Sequence, residues 1–353
     1  MGGRARVLRR VRVRRPGWLS RAEGVRTRRR ALRHAIRFLH VTEQGQGYLA
    51  ELREVETPAP RADELLIRVA ASGINRADLS QIAGRYPPPP GEPAILGLEI
   101  AGTVAATGEG VCALLAGGGH AEYVAAPRGQ VFPAPARLDP IACGGIPEAF
   151  LTAFVNLAIE VKLPPGGTVL VHAGASGVGI AAIQVAKYLG ARVAATTRTK
   201  EKLPALAAAG ADLALLSPDE DMVRAIESSW GKNAVHAILD PVGAATLPGD
   251  LAVLATGGTI LCLATMSGPR IELDLSLLMK KRARLVGSTL RSRSREEKAA
   301  IVRRFREEIL PGFDAGRLSV VVDRVFRPAD AAAAFQRMRE NKNTGKVVID
   351  WQA

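Results

Sequence analysis

From Ala35 onward the chain is written in short apolar runs broken by Gly and Pro. AIRFLHV, LLIRVAASGI and AILGLEIAGTVAATG are separated by PAPRADE and YPPPPGEP. Runs of this length, rich in β-branched residues and bounded by turn formers, predict strands, and their clustering predicts a small all-β barrel. After Pro165 the period changes. TVLVHA reads as a buried strand, GASGVG as a glycine turn, and IAAIQVAKYLG places apolar residues at helical spacing. ARVAAT is a second strand, and alternation continues through EKLPALAAAGA, LALLS, DMVRAIESSW, VHAILD, GDLAVLATGG and TILCLA. Such alternation predicts a doubly wound parallel sheet with helices on both faces, giving an α/β protein. The expected division is a barrel domain at 35–149, completed by 288–353, and a Rossmann-fold domain at 150–287. The last segment, with a helix around AAIVRRFREEILPGF and a closing strand in GKVVIDW, is too short for a core of its own and is expected to return to the barrel.

Charge changes the picture only at the N-terminus. The 353 residues carry a formal charge of +14, but residues 1–34 hold thirteen Arg and a single acid, Glu23, so +12 resides there and +2 in the remainder. With few large apolar residues and strong self-repulsion, that segment is expected to be disordered. A transit peptide, a nucleic-acid-binding arm and a neutral extension or misassigned start compete to explain it; the last is preferred, because Ser is scarce and Trp18 is the one aromatic beside the arginines. A balanced remainder gives no reason to expect a polyanionic partner for the folded part. Cys112, Cys143 and Cys262 lack CxxC spacing, so neither a disulfide framework nor a structural zinc site is indicated. Charged residues interrupt every apolar stretch before membrane-spanning length. A soluble, cytoplasmic protein is expected.

The clearest chemistry lies at Gly174, Gly177 and Gly179, between the strand TVLVHA and the helix that follows. Small residues there let backbone approach a pyrophosphate, and the helix N-terminus supplies free N–H groups and the positive end of a dipole. The second strand, about 20 residues onward, ends in Thr196, Thr197, Arg198, Thr199, Lys200, Glu201 and Lys202, with no acid at its end. An acid there would bind a free ribose hydroxyl and repel a 2′-phosphate, whereas hydroxyls and cations suit the phosphate. NADPH is therefore expected over NADH, the alternative being that these cations are an ordinary exposed helix start.

With these pieces placed, the chain resembles the medium-chain dehydrogenase/reductase superfamily, and within it the zeta-crystallin-like quinone oxidoreductases, including their stress-inducible branch. The stretches that carry the likeness are VAASGINRADLSQIAGRYPPPPG, ILGLEIAGTV, CALLAGGGHAEYV, IPEAFLTAF, VHAGASGVGIAAIQVAK, LRSRSREEK and NKNTGKVVI, spread over 35–353. The resemblance implies a GroES-like barrel, a Rossmann domain inserted in it, a cofactor cleft at their junction and a homodimer. Zinc alcohol dehydrogenases of the superfamily carry Cys where this chain has Asn75 and Gly-His-Glu where it has Gly97, Leu98 and Glu99. Neither an amide nor Leu replaces thiolate and imidazole, so no metal site is expected. The resemblance places Asn75 and Tyr86 beside the nicotinamide as candidate catalytic residues. It places Ser176, Gly177, Val178 and Gly179 on the pyrophosphate, Thr199, Lys202 and Ser217 around the adenosine phosphate, and Asn343 at the cofactor from the C-terminal strand. It implies hydride transfer from NADPH to a quinone. An α,β-unsaturated carbonyl as acceptor, or a non-catalytic protein binding NADPH and, through residues 1–34, nucleic acid, are the alternatives. The chain departs from the family where Val111 runs directly into Cys112, so a shortened barrel hairpin is expected. His120 and His172 are read as structural, and Cys262 as a core residue.

Overall fold

The computed structural model describes residues 34–353 apart from 218; the disorder expected of the arginine-rich segment falls on residues 1–33, outside that range. The apolar runs form two large sheets. The parallel one has the spatial order Leu213–Leu216, Arg192–Thr197, Thr168–Val171, Val235–Asp240, Leu254–Cys262, Arg284–Gly287. In chain order this is third, second, first, fourth, fifth, sixth, the doubly wound arrangement of dinucleotide-binding folds. Thr168–Val171 and Val235–Asp240 flank the point where the connections reverse, and their carboxyl ends open on the crevice in which such sheets bind ligands. Val169, Leu170, Ala194 and Ile238 are completely buried. Burial on both faces is why these strands read as continuous apolar runs.

The second sheet is mostly antiparallel and curls into a barrel wall. Its order is Val322–Phe326, Lys346–Asp350, Glu64–Ile74, Glu99–Val104, Gly110–Leu114, Val131–Pro133, with Tyr123–Pro127 also paired to Glu64–Ile74. The last strand lies antiparallel to Glu64–Ile74, setting Val347 opposite Ile74 and Ile349 opposite Ser72. The C-terminal segment thereby reaches the strand end from which Asn75 projects. A separate hairpin, Ala35–Gln44 with Gly47–Glu56, is bridged to the barrel at Phe38 and Ala121.

Where Val111 meets Cys112 the strand is continuous. Both residues pair with Gly102 and Ala101 on one side and with Pro133 and Phe132 on the other. The turn before it is closed by Gly108 N–H donating to the Val104 carbonyl at 2.7 Å. Two details differ from the sequence reading. GDLAVLATGG is divided between a helix, Leu247–Val253, and the start of strand Leu254–Cys262, because Pro248 fits a first helical turn and the β-branched and glycine positions that follow do not prolong it. Cys262 is half-buried, since it ends that strand at the crevice instead of lying in its middle.

One core joins the two sheets. Ala101, Cys112, Leu114 and Phe132 from the barrel pack with Val169, Val171 and Ile183 from the nucleotide fold. The helix Arg295–Glu308 seals the seam with Phe305, whose ring lies 5.4 Å from Phe132 and 5.9 Å from Phe154. Truncating it leaves a cavity between the barrel and the helix Pro147–Phe154. Phe305→Ala is expected to cost about 3–5 kcal/mol of unfolding free energy, read as a lower urea midpoint at unchanged slope. A loss below about 1 kcal/mol would show that the seam contributes little.

Candidate active site

Strand Thr168–Val171 leads through His172 and Ala173, whose φ of +49° is left-handed, into the glycine turn. Ser176 caps the helix Gly177–Tyr188, its Oγ accepting from Gly179 N–H at 3.0 Å. The turn has no room for side chains. A Cβ on Gly177 would lie 2.5 Å from Cδ of Lys346, and one on Gly179 would lie 2.7 Å from Cα of Gly174. First-turn N–H groups have no partner within a helix, so bare backbone beside them is a cradle that fits a pyrophosphate. The C-terminal segment closes over it, with Gly345 N–H donating to the Ala175 carbonyl at 2.8 Å.

At the adenosine end, Ser217 N–H donates to the Thr197 carbonyl at 2.9 Å, bringing Ser217 beside the end of the second strand. The Thr197 hydroxyl accepts from Thr199 N–H at 3.3 Å. Arg198 is exposed. Lys202 is committed within the protein: its ammonium donates to the Asn341 and Asn343 carbonyls at 2.6 and 2.7 Å. The Asn343 amide donates to the Gly345 carbonyl at 2.8 Å and so shapes the turn over the cradle. Arg76, unmarked in the sequence reading, donates to Asn341 Oδ1 at 2.6 Å, and its pKa is lowered by burial and by the Arg198 charge. Arg76, Arg198 and Lys202 thus form a cationic corner. The Thr196 hydroxyl turns inward to His172 Nδ1 at 2.9 Å, and His172 Nε2 meets Asp250 at 2.6 Å, a buried structural set.

Where the two sheets meet, Lys346 extends its ammonium to Glu99 Oε1 at 2.5 Å, Asn75 Oδ1 at 2.8 Å and the Ile74 carbonyl at 3.1 Å. Asn75 Nδ2 donates to the same Glu99 oxygen at 2.8 Å, while Glu99 Oε2 accepts from Glu148 N–H at 2.9 Å. The ion pair is almost fully buried, with side-chain exposures of 4% and 0%. Asp78 fastens the next layer, accepting from Asn75 N–H and from Gly97 N–H. Burial opposes its ionisation, but His120 and those N–H groups prevail and hold its pKa below the usual carboxylate range. Gly97 is at φ +103°, and a Cβ there would collide with the His120 backbone nitrogen. Only glycine permits the bend that delivers Glu99 to the lysine.

Tyr86 stands beside this network. Arg291, like Lys346 and Glu148 not singled out from the sequence, lies 5.2 Å over its ring and bonds the Tyr86 and Ala116 carbonyls and Gln81 Oε1. Burial and the Glu148 charge raise the phenol pKa against the pull of Arg291. The hydroxyl therefore stays protonated at neutral pH and is available as a donor.

A parallel sheet with a glycine cradle at its switch point, abutting a barrel with polar groups at the seam, defines a nucleotide-dependent oxidoreductase. Family models agree: residues 61–136 match the alcohol dehydrogenase GroES-like domain and 177–306 the zinc-binding dehydrogenase domain. The quinone oxidoreductase of Thermus thermophilus, solved alone and with NADPH, is 32% identical with a TM-score of 0.75, covering 89% of this chain and 99% of that one. Quinone oxidoreductase from Sus scrofa is 29% identical over 84% of this chain and 92% of its own. The CurK enoyl reductase is 25% identical, with a TM-score of 0.77 over 89% and 99%. The chain belongs to the medium-chain dehydrogenase/reductase superfamily, among its quinone-oxidoreductase-like enzymes.

The second domain's description raises the question of zinc, and the residues at the junction do not fit it. Asn75 offers an amide, Leu98 is an apolar residue 1% exposed, and the Lys346 ammonium already neutralises Glu99. A cation-binding site needs anionic or imidazole donors, not a resident cation. Among the described residues no group of three or more His, Cys, Asp or Glu is gathered for a metal. Removing the ammonium should expose the dependence: Lys346→Met leaves Glu99 buried and unpaired, with an expected loss of about 3–5 kcal/mol. Lys346→Met/Glu99→Gln should recover part of it in a double-mutant cycle. Additive losses would contradict a coupled pair.

Proposed function

We propose that the enzyme transfers a hydride from NADPH to a quinone without zinc. The observation that carries the reading is the junction network, in which Lys346, Glu99 and Asn75 occupy the region where zinc alcohol dehydrogenases of the superfamily place a Lewis acid. Without strong carbonyl polarisation, an electron-poor acceptor such as a quinone suits the site better than an alcohol or ketone. NADPH is bound by the Thermus relative, and the acid-free end of Arg192–Thr197, with Arg198 and Arg76 beside it, supports the same choice here.

Bound at the cleft, the dihydronicotinamide supplies the hydride; the chain does the rest. Ser176, Gly177, Val178 and Gly179 hold the pyrophosphate, while Thr197, Arg198, Thr199, Lys202 and Ser217 surround the adenosine phosphate. Asn343 shapes the turn above them. Asn75, its side chain held by Lys346, Glu99 and the Gly73 carbonyl, orients the nicotinamide end, and the Tyr86 phenol donates a hydrogen bond to the acceptor oxygen. The field of the Lys346 ammonium, partly spent on Glu99, still favours charge developing on that oxygen. We assign 35–149 with 288–353 to the barrel and 150–287 to the nucleotide domain. A homodimer is supported by the open edge strand Arg284–Gly287 and by Leu285, Leu275 and Met279 beside it, exposed by 44, 62 and 75%. A cytoplasmic compartment is proposed too; among the described residues no helix is long and apolar enough to cross a membrane. The likeness to an enoyl reductase favours one second reading, with hydride delivered to the β-carbon of an enone.

The test is oxidation of NADPH and NADH by purified enzyme against quinones and enones. NADPH is expected to give the higher kcat/KM, and Arg198→Glu to lower that value at least about tenfold, the equivalent of one lost charge-assisted contact, with NADH little changed. Equal or better turnover with NADH would contradict the coenzyme assignment. Faster enone than quinone reduction would transfer the function to the second reading.

A further inference from the structure

Reducing a quinone takes a proton as well as a hydride, and the groups described so far do not supply it well. Tyr86 has a raised pKa and holds its proton tightly. Glu148 has not been used. It is the second residue of the helix Pro147–Phe154, and its N–H is tied to Glu99 at 2.9 Å, so its backbone is locked to the junction network. Its carboxyl is not: Oε2 is buried with no hydrogen-bond partner among the described residues. Six charged or titratable groups act on it or feel it. These are Asp78, Tyr86 and Glu99 from the barrel, Arg291 from the segment after the last parallel strand, Lys298 from the helix Arg295–Glu308, and Lys346 from the closing strand. The carboxyl therefore belongs to the electrostatic neighbourhood of the junction network and of Tyr86.

We propose that Glu148 is the proton donor to the acceptor, an inference that rests on the quinone-reductase reading. The acceptor gains two electrons and a hydrogen from the dihydronicotinamide, which is oxidised. As negative charge grows on the acceptor oxygen, the O–H bond of the Glu148 carboxylic acid breaks and a new O–H bond forms on that oxygen. The carboxylate left behind regains a proton from solvent, so one acceptor, one NADPH and one proton give hydroquinone and NADP⁺. Burial and the neighbouring Glu99 charge, opposed by Lys346 and Lys298, push the Glu148 pKa up to about 8. At pH 7 the group is mostly a neutral acid, and its pKa matches the working pH as efficient proton transfer requires. Tyr86 then orients the oxygen that Glu148 protonates.

Two readouts test this in the whole enzyme. Infrared difference spectra across pH, without coenzyme, should show a carboxylic-acid carbonyl band that disappears with a midpoint near 8 and is absent from Glu148→Gln. With NADPH and a quinone, wild-type kcat should fall as pH rises through that midpoint. Glu148→Gln should lose about a hundredfold at pH 7 and lose that pH limb, with NADPH affinity and melting temperature kept. If Glu148→Gln does not fold, Glu148→Asp should retain a basic limb at reduced rate, and a flat profile would overturn the proposal. So would a Glu148→Gln enzyme with wild-type rate and pH profile, or the absence of the band at pH 7. A wild-type enzyme that shows the band but reduces no quinone would overturn the quinone reading, and this step with it.

Discussion

The ammonium of Lys346, brought 247 residues back along the chain to Glu99, is the contact on which the cleft depends. A buried ion pair is not stabilising in itself, because desolvating two charges costs several kcal/mol per ion. Here the cost is offset by saturation: the lysine meets a carboxylate, an amide oxygen and a backbone carbonyl, and the carboxylate accepts from Asn75 and from Glu148 N–H. The lysine stem also lies against Gly177 at the start of the nucleotide helix. One side chain therefore fixes the barrel, the closing strand, the helix Pro147–Phe154 and the glycine cradle relative to one another.

This arrangement also sets the electrostatics of the reaction. In the proposed reaction the Lys346 ammonium, held in place by Glu99, would favour a developing oxyanion without binding it as a ligand. The same glutamate acts on Glu148, whose ionisation it disfavours. Glu148, once ionised, in turn opposes ionisation of Tyr86, and burial acts on both, so both carry their protons at neutral pH. Arg291, just beyond the last parallel strand, reaches the Tyr86 and Ala116 carbonyls and holds the outer wall of the cleft.

Much of the fold was legible in the sequence because its signals are local. Continuous apolar strands, a glycine turn and a helix of buried Ile and Ala lie close together in the chain around Gly174, and the two-domain class follows from where the period changes. The junction was not legible. Lys346 sits in NKNTGKVVI and Glu148 in IPEAFLTAF, stretches that carry the family likeness, yet nothing local distinguishes them from surface charge. Their partners are set by strand pairing across most of the chain, Val347 opposite Ile74 above all. Lys202 shows the same limit: its spacing marks it for the adenosine end, but only tertiary contacts bring its ammonium to two backbone carbonyls of the C-terminal segment. Where Val111 passes directly into Cys112 the sequence predicted a shortened hairpin, and in the structure both residues keep two strand neighbours, so the barrel wall is unbroken there.

The central claim is that an ammonium–carboxylate–amide network does the work elsewhere assigned to zinc. Metal analysis of the purified enzyme, paired with quinone-dependent NADPH oxidation before and after exhaustive chelation, tests it most directly. The account predicts no stoichiometric zinc and unchanged turnover; one zinc per chain whose removal abolishes activity would contradict it.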